Sequence, residues 1–306
     1  MKAKNMRISS SFYPALLVLV QFAAGAPACG GHGDRTTLLV TTAWLADHLK
    51  DPNLVILAAG RDEEYGNGHI PGSLTFNIND TVTSQTAAGS LGKLPPMTSL
   101  AETFGKLGVT NESHVILYMT RNSFAYVTRT YLTLDAMGLG AHTSILDGGL
   151  PAWKNEKRPI TTEVPSVKPG KLDTCPQNDV IADLEYVKSN LHHPGVDIID
   201  ARTADDYAAA EAHGNSRAGH VPGATSLPVE KLLDSGKLKP AAELQSLLHE
   251  AGVKPGDQVV SYCYVGLRAT VVYFVARYLG YDARLYDGSW TEWNKHTELP
   301  TEISAK

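Results

Sequence analysis

The sequence predicts an α/β protein of two similar domains, each a mostly parallel sheet with helices on both faces. Two observations lead to this prediction. Short apolar segments typical of buried strands alternate with segments of helical periodicity, which favours parallel sheets covered by helices. Three motifs also occur twice, in the same order, about 140 to 150 residues apart. A chain of 306 residues has room for two such domains.

The internal repeat consists of three pairs of segments. They pair Gly68–Ser73 with Gly219–Ala224, Val115–Met119 with Val259–Cys263, and Asp147–Trp153 with Asp287–Trp293. One short match could arise by chance, but three matches in the same order indicate two copies of a domain of about 120 residues. We place the copies at residues 36–157 and 179–303, joined by a proline-rich linker over 158–178.

Each copy alternates strands and helices, most clearly the second. The pattern there predicts helices over Leu184–Leu191, Ala241–Ala251 and Ala269–Leu279, and strands over Val196–Asp200, Gln258–Tyr262 and Arg284–Tyr286. Gly280 predicts the end of the last helix. Because such sheets bind ligands beyond the carboxyl ends of their strands, the loops after the strands are the candidate site.

Composition excludes several classes of protein. With 43% hydrophobic and 19% charged residues, the chain can bury a core and is not wholly disordered. A net charge of −5 argues against a general nucleic-acid binder, and three cysteines cannot form a disulfide scaffold. No apolar run is long enough for a spanning helix. No metal motif or phosphate-binding glycine loop is present, so we predict neither metal nor cofactor.

The N-terminus is typical of an export signal. Residues 1–28 combine a basic start, an apolar stretch over Phe12–Ala24 and a cleavage-site pattern at Ala26–Ala28. Cleavage there makes Cys29 the first residue. Cys29 is then similar to the acylated cysteine of bacterial lipoproteins, although Ala26 stands where that motif usually has leucine. We expect an exported protein, periplasmic or extracellular, and leave open whether acylation of Cys29 anchors it to a membrane.

The residue best suited to chemistry is Cys263. It follows a predicted strand and opens a short loop that leads into a helix. Backbone N–H groups of the loop can surround the sulfur, the helix N-terminus favours negative charge, and Arg268 adds a full positive charge. All three effects stabilise a thiolate nucleophile, and Gly266 permits the tight turn. The alternative is a buried structural cysteine.

These features together resemble the rhodanese family of sulfurtransferases. The resemblance rests on the two GH[IV]PG[AS] segments, the two DG[GS] segments followed by tryptophan, and the cysteine loop after an apolar strand. It covers about residues 36–298 and is to the tandem form, with an inactive first copy and a catalytic second copy. Family members carry sulfur as a cysteine persulfide and pass it to a thiophilic acceptor such as cyanide or a thiol. Met119 stands in the first copy where the second has Cys263, and methionine cannot form a persulfide.

The resemblance also implies roles for individual residues. Arg202, Arg217 or both would face the loop and bind the sulfonate or carboxylate of a substrate together with Arg268. The alternatives are ordinary surface arginines, or an arginine oriented by Asp200. The active-site loop itself would consist of Tyr264, Val265, Gly266, Leu267 and Arg268.

Other repeated or isolated residues suggest less. His69 and His220 occur in both the inactive and the active copy, which favours a structural role. Cys175 lies in the linker, where no neighbour suggests chemistry.

Several functions remain open at this stage. We predict thiosulfate as the sulfur donor, because a dianion gains most from Arg268 acting with a second arginine, and 3-mercaptopyruvate is the alternative donor. Tyr264 and Val265 match neither the basic residues of thiosulfate enzymes nor the small polar residues of mercaptopyruvate enzymes. An exported sulfur-carrier or redox module would need the same Cys263. A cysteine phosphatase is disfavoured, because its loop needs an arginine one position further on than Arg268.

Overall fold

The computed structural model describes residues 38–82, 93–121, 124–208 and 217–303. The predicted signal peptide, residues 1–28, and Cys29 lie outside these ranges. Within them the chain forms two five-stranded sheets of the same topology and one small hairpin. None of the helices in the described ranges has the length and apolar character needed to cross a membrane.

The first sheet is parallel and buried on both faces. Its strands are β1 (Leu39–Val40), β2 (Leu54–Ala59), β3 (Leu74–Phe76), β4 (His114–Met119) and β5 (Thr143–Leu146). They lie in the order β1-β5-β4-β2-β3, and all neighbours are parallel. In the central strand β4, Val115 and Leu117 belong to the core on one face, and Ile116 and Tyr118 to the core on the other. Burial on both faces explains why this strand is almost uniformly apolar.

The second sheet repeats this arrangement. Its strands are β6 (Ile181–Ala182), β7 (Val196–Asp200), β8 (Thr225–Ser226), β11 (Gln258–Tyr262) and β12 (Asp282–Tyr286), and a hairpin of β9 (Leu233–Asp234) and β10 (Lys237–Leu238) lies outside it. The parallel order is β6-β12-β11-β7-β8. Tyr262 pairs with Asp200, so both strands end at the same edge. The two matching sheets confirm the predicted fold class.

Helices cover both faces of each sheet. The first domain has α1 (Thr42–His48), α2 (Asp62–Gly66), α3 (Met97–Lys106), α4 (Phe124–Ala136) and α5 (Gly149–Asn155); the second has α6 (Leu184–Ser189), α7 (Ala204–Tyr207), α8 (Ala241–Glu250), α9 (Ala269–Leu279) and α10 (Ser289–Lys295). Local signals explain their ends. The Thr41 and Asp183 side chains accept hydrogen bonds at the starts of α1 and α6, and Gly280 ends α9 in a left-handed conformation.

The two domains meet through α4 and α9, which follow the equivalent strands β4 and β11. The hydroxyl groups of Thr128 and Thr270 lie 2.7 Å apart across this contact, and the ring of Tyr131 packs edge-on against Phe274. One hydrophobic core runs through the contact and includes both Met119 and Cys263. The ends of both central strands therefore lie near the domain interface.

The predicted linker, residues 158–178, packs along the first domain. Thr161 forms a β-bridge with His69, the N–H of Gly170 donates to Gly105 (2.8 Å), and the N–H of Cys175 donates to Met137 (2.9 Å). Three separate attachments hold this segment against the domain that precedes it.

Candidate active site

Cys263 lies directly after β11, at the carboxyl edge of the second sheet. Its thiol is free, and the residue is 1% exposed. The N–H of Cys263 donates to Ser289 Oγ (3.3 Å), and its carbonyl accepts from the N–H of Trp290 (2.9 Å). The start of α10 thus holds the backbone that carries the thiol.

The loop after Cys263 leaves its backbone donors unused. Within the described part of the chain, no N–H group of residues 264–268 donates to a protein acceptor. A run of neighbouring backbone donors without a protein acceptor is suited to a bound anion. The N-terminus of the 11-residue helix α9 follows at once and adds a favourable potential. A thiolate or persulfide on Cys263 is an anion of the required kind.

Gly266 gives the loop its shape. It has a left-handed φ of 77°, which a residue with a side chain adopts only with strain. A Cβ atom at this position would also lie 2.8 Å from both the carbonyl oxygen and Oδ1 of Asp287. The loop therefore packs directly against the Asp-Gly motif that precedes α10.

Arg268, the last residue of the loop, forms an ion pair with Glu230. Glu230 belongs to a 3₁₀ turn over Val229–Leu232, next to the hairpin. The Arg268 side chain is 35% exposed and that of Glu230 is 63% exposed, so solvent weakens the pair. An anionic substrate that binds Arg268 has to compete with this carboxylate.

Tyr264 joins the loop to two neighbouring elements. Its hydroxyl donates to Asp206 of α7 (2.6 Å), and its carbonyl accepts from both the N–H and the hydroxyl of Thr291 in α10 (3.0 and 2.7 Å). Burial, followed by the hydrogen bond to Asp206, raises the pKa of Tyr264 to about 12, so the phenol stays neutral. Val265 and Leu267 are half-buried.

Arg202 is buried and engaged by protein groups. It is 2% exposed, its guanidinium binds the Asp200 carboxylate (2.6 Å), and it also donates to the carbonyl of Gly219 (2.8 Å). The Cζ atom of its guanidinium lies over the rings of Trp290 (4.6 Å to the centroid) and Tyr264 (5.2 Å). These contacts favour the alternative in which Asp200 holds Arg202 within the fold. A direct role in binding substrate stays a prediction.

Arg217 closes the end of α10. Its guanidinium donates to the carbonyls of Trp293 (3.1 Å), His296 (3.1 Å) and Leu299 (2.6 Å) and to the side chain of Asn294 (3.2 Å). A cation at this position satisfies the carbonyls that every helix leaves unpaired at its C-terminus. The contacts give Arg217 a structural task, and its substrate-binding role also stays a prediction.

The two repeated histidines have matching structural roles. His69 stacks on Tyr65 and His220 on Tyr207, with ring centroids 3.7 and 3.8 Å apart, and each histidine binds the carbonyl of its tyrosine. Both histidines are buried and form equivalent β-bridges. Their repetition in both copies follows from this shared packing.

Three residues near Cys263 carry functional contacts that sequence reasoning missed. Ser289 accepts the N–H of Cys263, and Asp287 packs on Gly266 and binds Arg129 of the first domain (2.6 Å). The repeated Asp-Gly motif was a signal for Asp287 and Ser289. Arg129 had no local signal, because 158 residues separate it from its partner.

The remaining candidate groups contribute less. Cys175 is disulfide-bonded, so it is not a second free thiol. Among the described residues, no group of three or more His, Cys, Asp or Glu side chains could hold a metal ion.

Fold and site define a class: a two-domain α/β protein whose second domain presents one thiol, in an anion-binding loop, at the sheet edge. A family model for the rhodanese-like domain matches the chain twice, at residues 41–156 and 183–296. The chain belongs to the rhodanese family. This confirms the resemblance and the duplication predicted from the sequence.

Several of its relatives are sulfurtransferases, as the resemblance implies. Thiosulfate sulfurtransferase of Pseudomonas aeruginosa is 31% identical over 268 residues, covering 87% of this chain and 97% of the relative. 3-Mercaptopyruvate sulfurtransferase of Escherichia coli K12 is 31% identical over 284 residues, covering 87% and 98%. The crystal structure of SseA, a 3-mercaptopyruvate sulfotransferase from E. coli, matches with a TM-score of 0.71 and 29% identity over 83% of this chain and 99% of SseA.

Proposed function

We propose that this protein transfers sulfane sulfur from thiosulfate to a thiophilic acceptor, through a persulfide on Cys263. The observation that carries the proposal is the free thiol of Cys263 followed by backbone N–H groups without a protein acceptor, at the N-terminus of α9. Such a loop stabilises a thiolate before the reaction and a persulfide after it. The sulfurtransferase relatives support the same chemistry.

The reaction is a double displacement. The Cys263 thiolate attacks the outer sulfur of thiosulfate, the sulfur–sulfur bond of the donor breaks, and sulfite leaves with the bonding electron pair. The loop N–H groups hold the resulting persulfide anion. Cyanide or a thiolate then attacks the outer sulfur, and Cys263 leaves as the thiolate. Because the nucleophile is regenerated ionised, no general base is required, and the kinetics should be ping-pong.

The alternative donor, 3-mercaptopyruvate, is favoured by a specific observation. Arg202 and Arg217 are both engaged by protein groups, which leaves Arg268 as the loop's own cation. One arginine suits the single carboxylate of 3-mercaptopyruvate as well as it suits thiosulfate. A comparison of kcat/KM for the two donors decides, and a preference for 3-mercaptopyruvate above tenfold overturns the choice of thiosulfate.

Intact-protein mass spectrometry tests the persulfide. Incubation with thiosulfate should add the mass of one sulfur atom, and cyanide should remove it. Cys263→Ser should show no gain, whereas Met119→Ala should behave like the wild type. No gain with either donor would contradict the proposal and favour a phosphatase. A persulfide that forms without turnover on small acceptors would favour the sulfur-carrier module.

We further propose that the folded protein acts outside the cytoplasm. The support is the signal-like segment over residues 1–28. Cell fractionation and the mass of the mature N-terminus test this proposal. A chain beginning at Cys29 with an added diacylglycerol would also support the membrane anchor, and an uncleaved cytoplasmic chain would exclude both.

A further inference from the structure

The domain interface is built from equivalent residues of the two repeats. Thr128 of α4 and Thr270 of α9 share a hydrogen bond (2.7 Å), and the same alignment makes Tyr131 equivalent to Tyr273. Each helix therefore presents the same face to the other. Differences between equivalent positions consequently mark where the two copies have specialised.

Among the residues that the structure describes, two buried ion pairs cross this interface. Arg129 of α4 binds Asp287 of the second domain (2.6 Å), and Asp135 of α4 lies 3.7 Å from Arg277 of α9. Tyr273 also donates to Asp135 (2.6 Å). Of the two pairs, the first contacts the Cys263 loop and the second lies more than two turns further along α9.

The Arg129 guanidinium is fully buried against the back of the loop. Its Nη1 lies 2.6 Å from Asp287 Oδ1 and 3.4 Å from the carbonyl oxygen of Gly266, and its Nη2 lies 3.4 Å from Asp287 Oδ2. Asp287 itself packs on Gly266. Without Arg129, the Asp287 carboxylate would be a buried, unpaired negative charge beside a loop that has to hold a thiolate.

The first copy shows what the equivalent site is like without such an arginine. In the alignment that pairs Thr128 with Thr270, the position of Arg129 is occupied by Val271, and Asp147 is the equivalent of Asp287. Burial raises the pKa of Asp147, which Lys237 partly opposes. An arginine thus reaches across the interface to the domain that carries the thiol, and a valine stands where an arginine would reach the other domain.

We propose that Arg129 is a positioning residue for the reaction, through which the domain without a nucleophile shapes the active loop of the other domain. Arg129 neutralises Asp287 and fixes the carbonyl of Gly266. The N–H groups that follow then point towards Cys263, and no net negative charge faces the thiolate. The catalytic role of Cys263 is the proposed function on which this inference rests.

The test compares Arg129→Gln with Asp135→Asn, which disrupts the other interdomain pair. Alkylation of Cys263 by iodoacetamide is followed against pH in the full chain, together with kcat and Tm. For Arg129→Gln we expect the alkylation midpoint to rise by about one pH unit and kcat to fall at least tenfold. For Asp135→Asn we expect a comparable loss of Tm with no change in the midpoint.

A double variant keeps the test decisive if Arg129→Gln does not fold. Arg129→Gln with Asp287→Asn replaces the ion pair by two neutral amides. Its alkylation midpoint should return most of the way to that of the wild type, while its kcat should stay low. The proposal is wrong if a folded Arg129 variant alkylates with the wild-type midpoint, or if Asp135→Asn gives the same shift. Alkylation needs no sulfur donor, so a wild type that fails to form a persulfide would refute the proposed function and leave this result readable.

Discussion

Strand β4 ends with Met119 at the sheet edge, and directly after β11 the chain has Cys263 at the equivalent position. Both residues are buried in the core shared by the two domains. In the first copy, Thr120 and Arg121 both bind Glu64, which gives the start of the loop an internal partner. In the second copy, the loop N–H groups have no protein acceptor within the described ranges. The two copies thus differ in what stands at the end of the central strand, a methionine in the first and a free thiol in the second.

The first residues of α5 and α10 differ between the copies and contact the ends of the two central strands. Gly149 and Ser289 occupy equivalent positions and share a left-handed φ, 53° and 54°. A Cβ at Gly149 would lie 2.6 Å from both Cγ and the carbonyl oxygen of Met119, so side chain and backbone there both exclude it. In the second copy Ser289 takes this position, and its hydroxyl accepts the N–H of Cys263. The second copy therefore has a side-chain support for the end of its central strand that the first copy lacks.

The largest effect is expected for Gly266→Ala. A methyl group here meets Asp287 and forces a left-handed backbone on alanine, so the loop should move away from its anion-binding shape. We expect kcat/KM to fall about 100-fold or more. Gly252→Ala is the matched control, because Gly252 has a φ of 95° but nothing within 4 Å of its Cβ position. Equal losses in both variants would show that backbone strain alone, and not contact with Asp287, is responsible.

Converting Ser289 to the residue of the first copy should have the next largest effect. Ser289→Gly removes the acceptor of the Cys263 N–H but suits the left-handed backbone, so kcat should fall about tenfold with little change in Tm. Ser289→Ala keeps the strain and loses the same hydrogen bond, and its Tm should fall as well. Steady-state kinetics and thermal unfolding separate the two effects. Full activity in Ser289→Gly would show that the hydroxyl does not support the site.

Local sequence pattern was sufficient for much of the fold. The bounds predicted for β7, β11 and α9 are those of the structure, because each is an apolar segment with a clear break, such as Gly280 after α9. The same pattern placed Cys263 at a sheet edge. β12 begins earlier than predicted, at Asp282, since pairing with β11 also includes Asp282 and Ala283, which carry little apolar signal.

Contacts between distant residues could not be predicted in this way. The sequence placed Arg202 and Arg217 in the second copy. It did not show that the Asp200 carboxylate accepts hydrogen bonds from Arg202, or that carbonyls at the end of α10 accept them from Arg217. The partnership of Arg129 and Asp287 depends on how the two copies face each other, which a repeat alone does not specify.

The ion pair of Arg268 with Glu230 offers a smaller test of the same contrast, since the loop of the first copy instead pairs Arg121 with Glu64. Removing the competing carboxylate with Glu230→Gln should lower KM for thiosulfate about threefold and leave kcat unchanged. Glu243→Gln is the matched control, because Glu243 also forms an ion pair, with Lys239, away from Cys263. A KM that is unchanged in Glu230→Gln, or lowered equally in both variants, would argue against donor binding by Arg268.

The smallest effect concerns stability, at a position where the copies differ in polarity. Asp197 in β7 is equivalent to Val55 in β2, and burial, followed by repulsion from Asp257, raises the pKa of Asp197 to about 6 from its ordinary 3.8. The folded state therefore binds more protons than the unfolded state between these values, so stability falls as pH rises through this window. Asp197→Asn should remove that loss and stabilise the protein at pH 7.5 by about 1 kcal/mol, allowing for solvent screening at a half-buried site.

Urea unfolding of Asp197→Asn and the wild type, at about pH 4 and pH 7.5, measures this effect. The gain should appear at the higher pH and disappear at the lower, where the aspartate is protonated in the folded state. Asp257→Asn should give a similar gain, since it removes the repelling charge. A gain of equal size at both pH values would mean that the substitution acts through packing and not by removing the charge of Asp197. The second copy would then carry its aspartate at no electrostatic disadvantage relative to Val55.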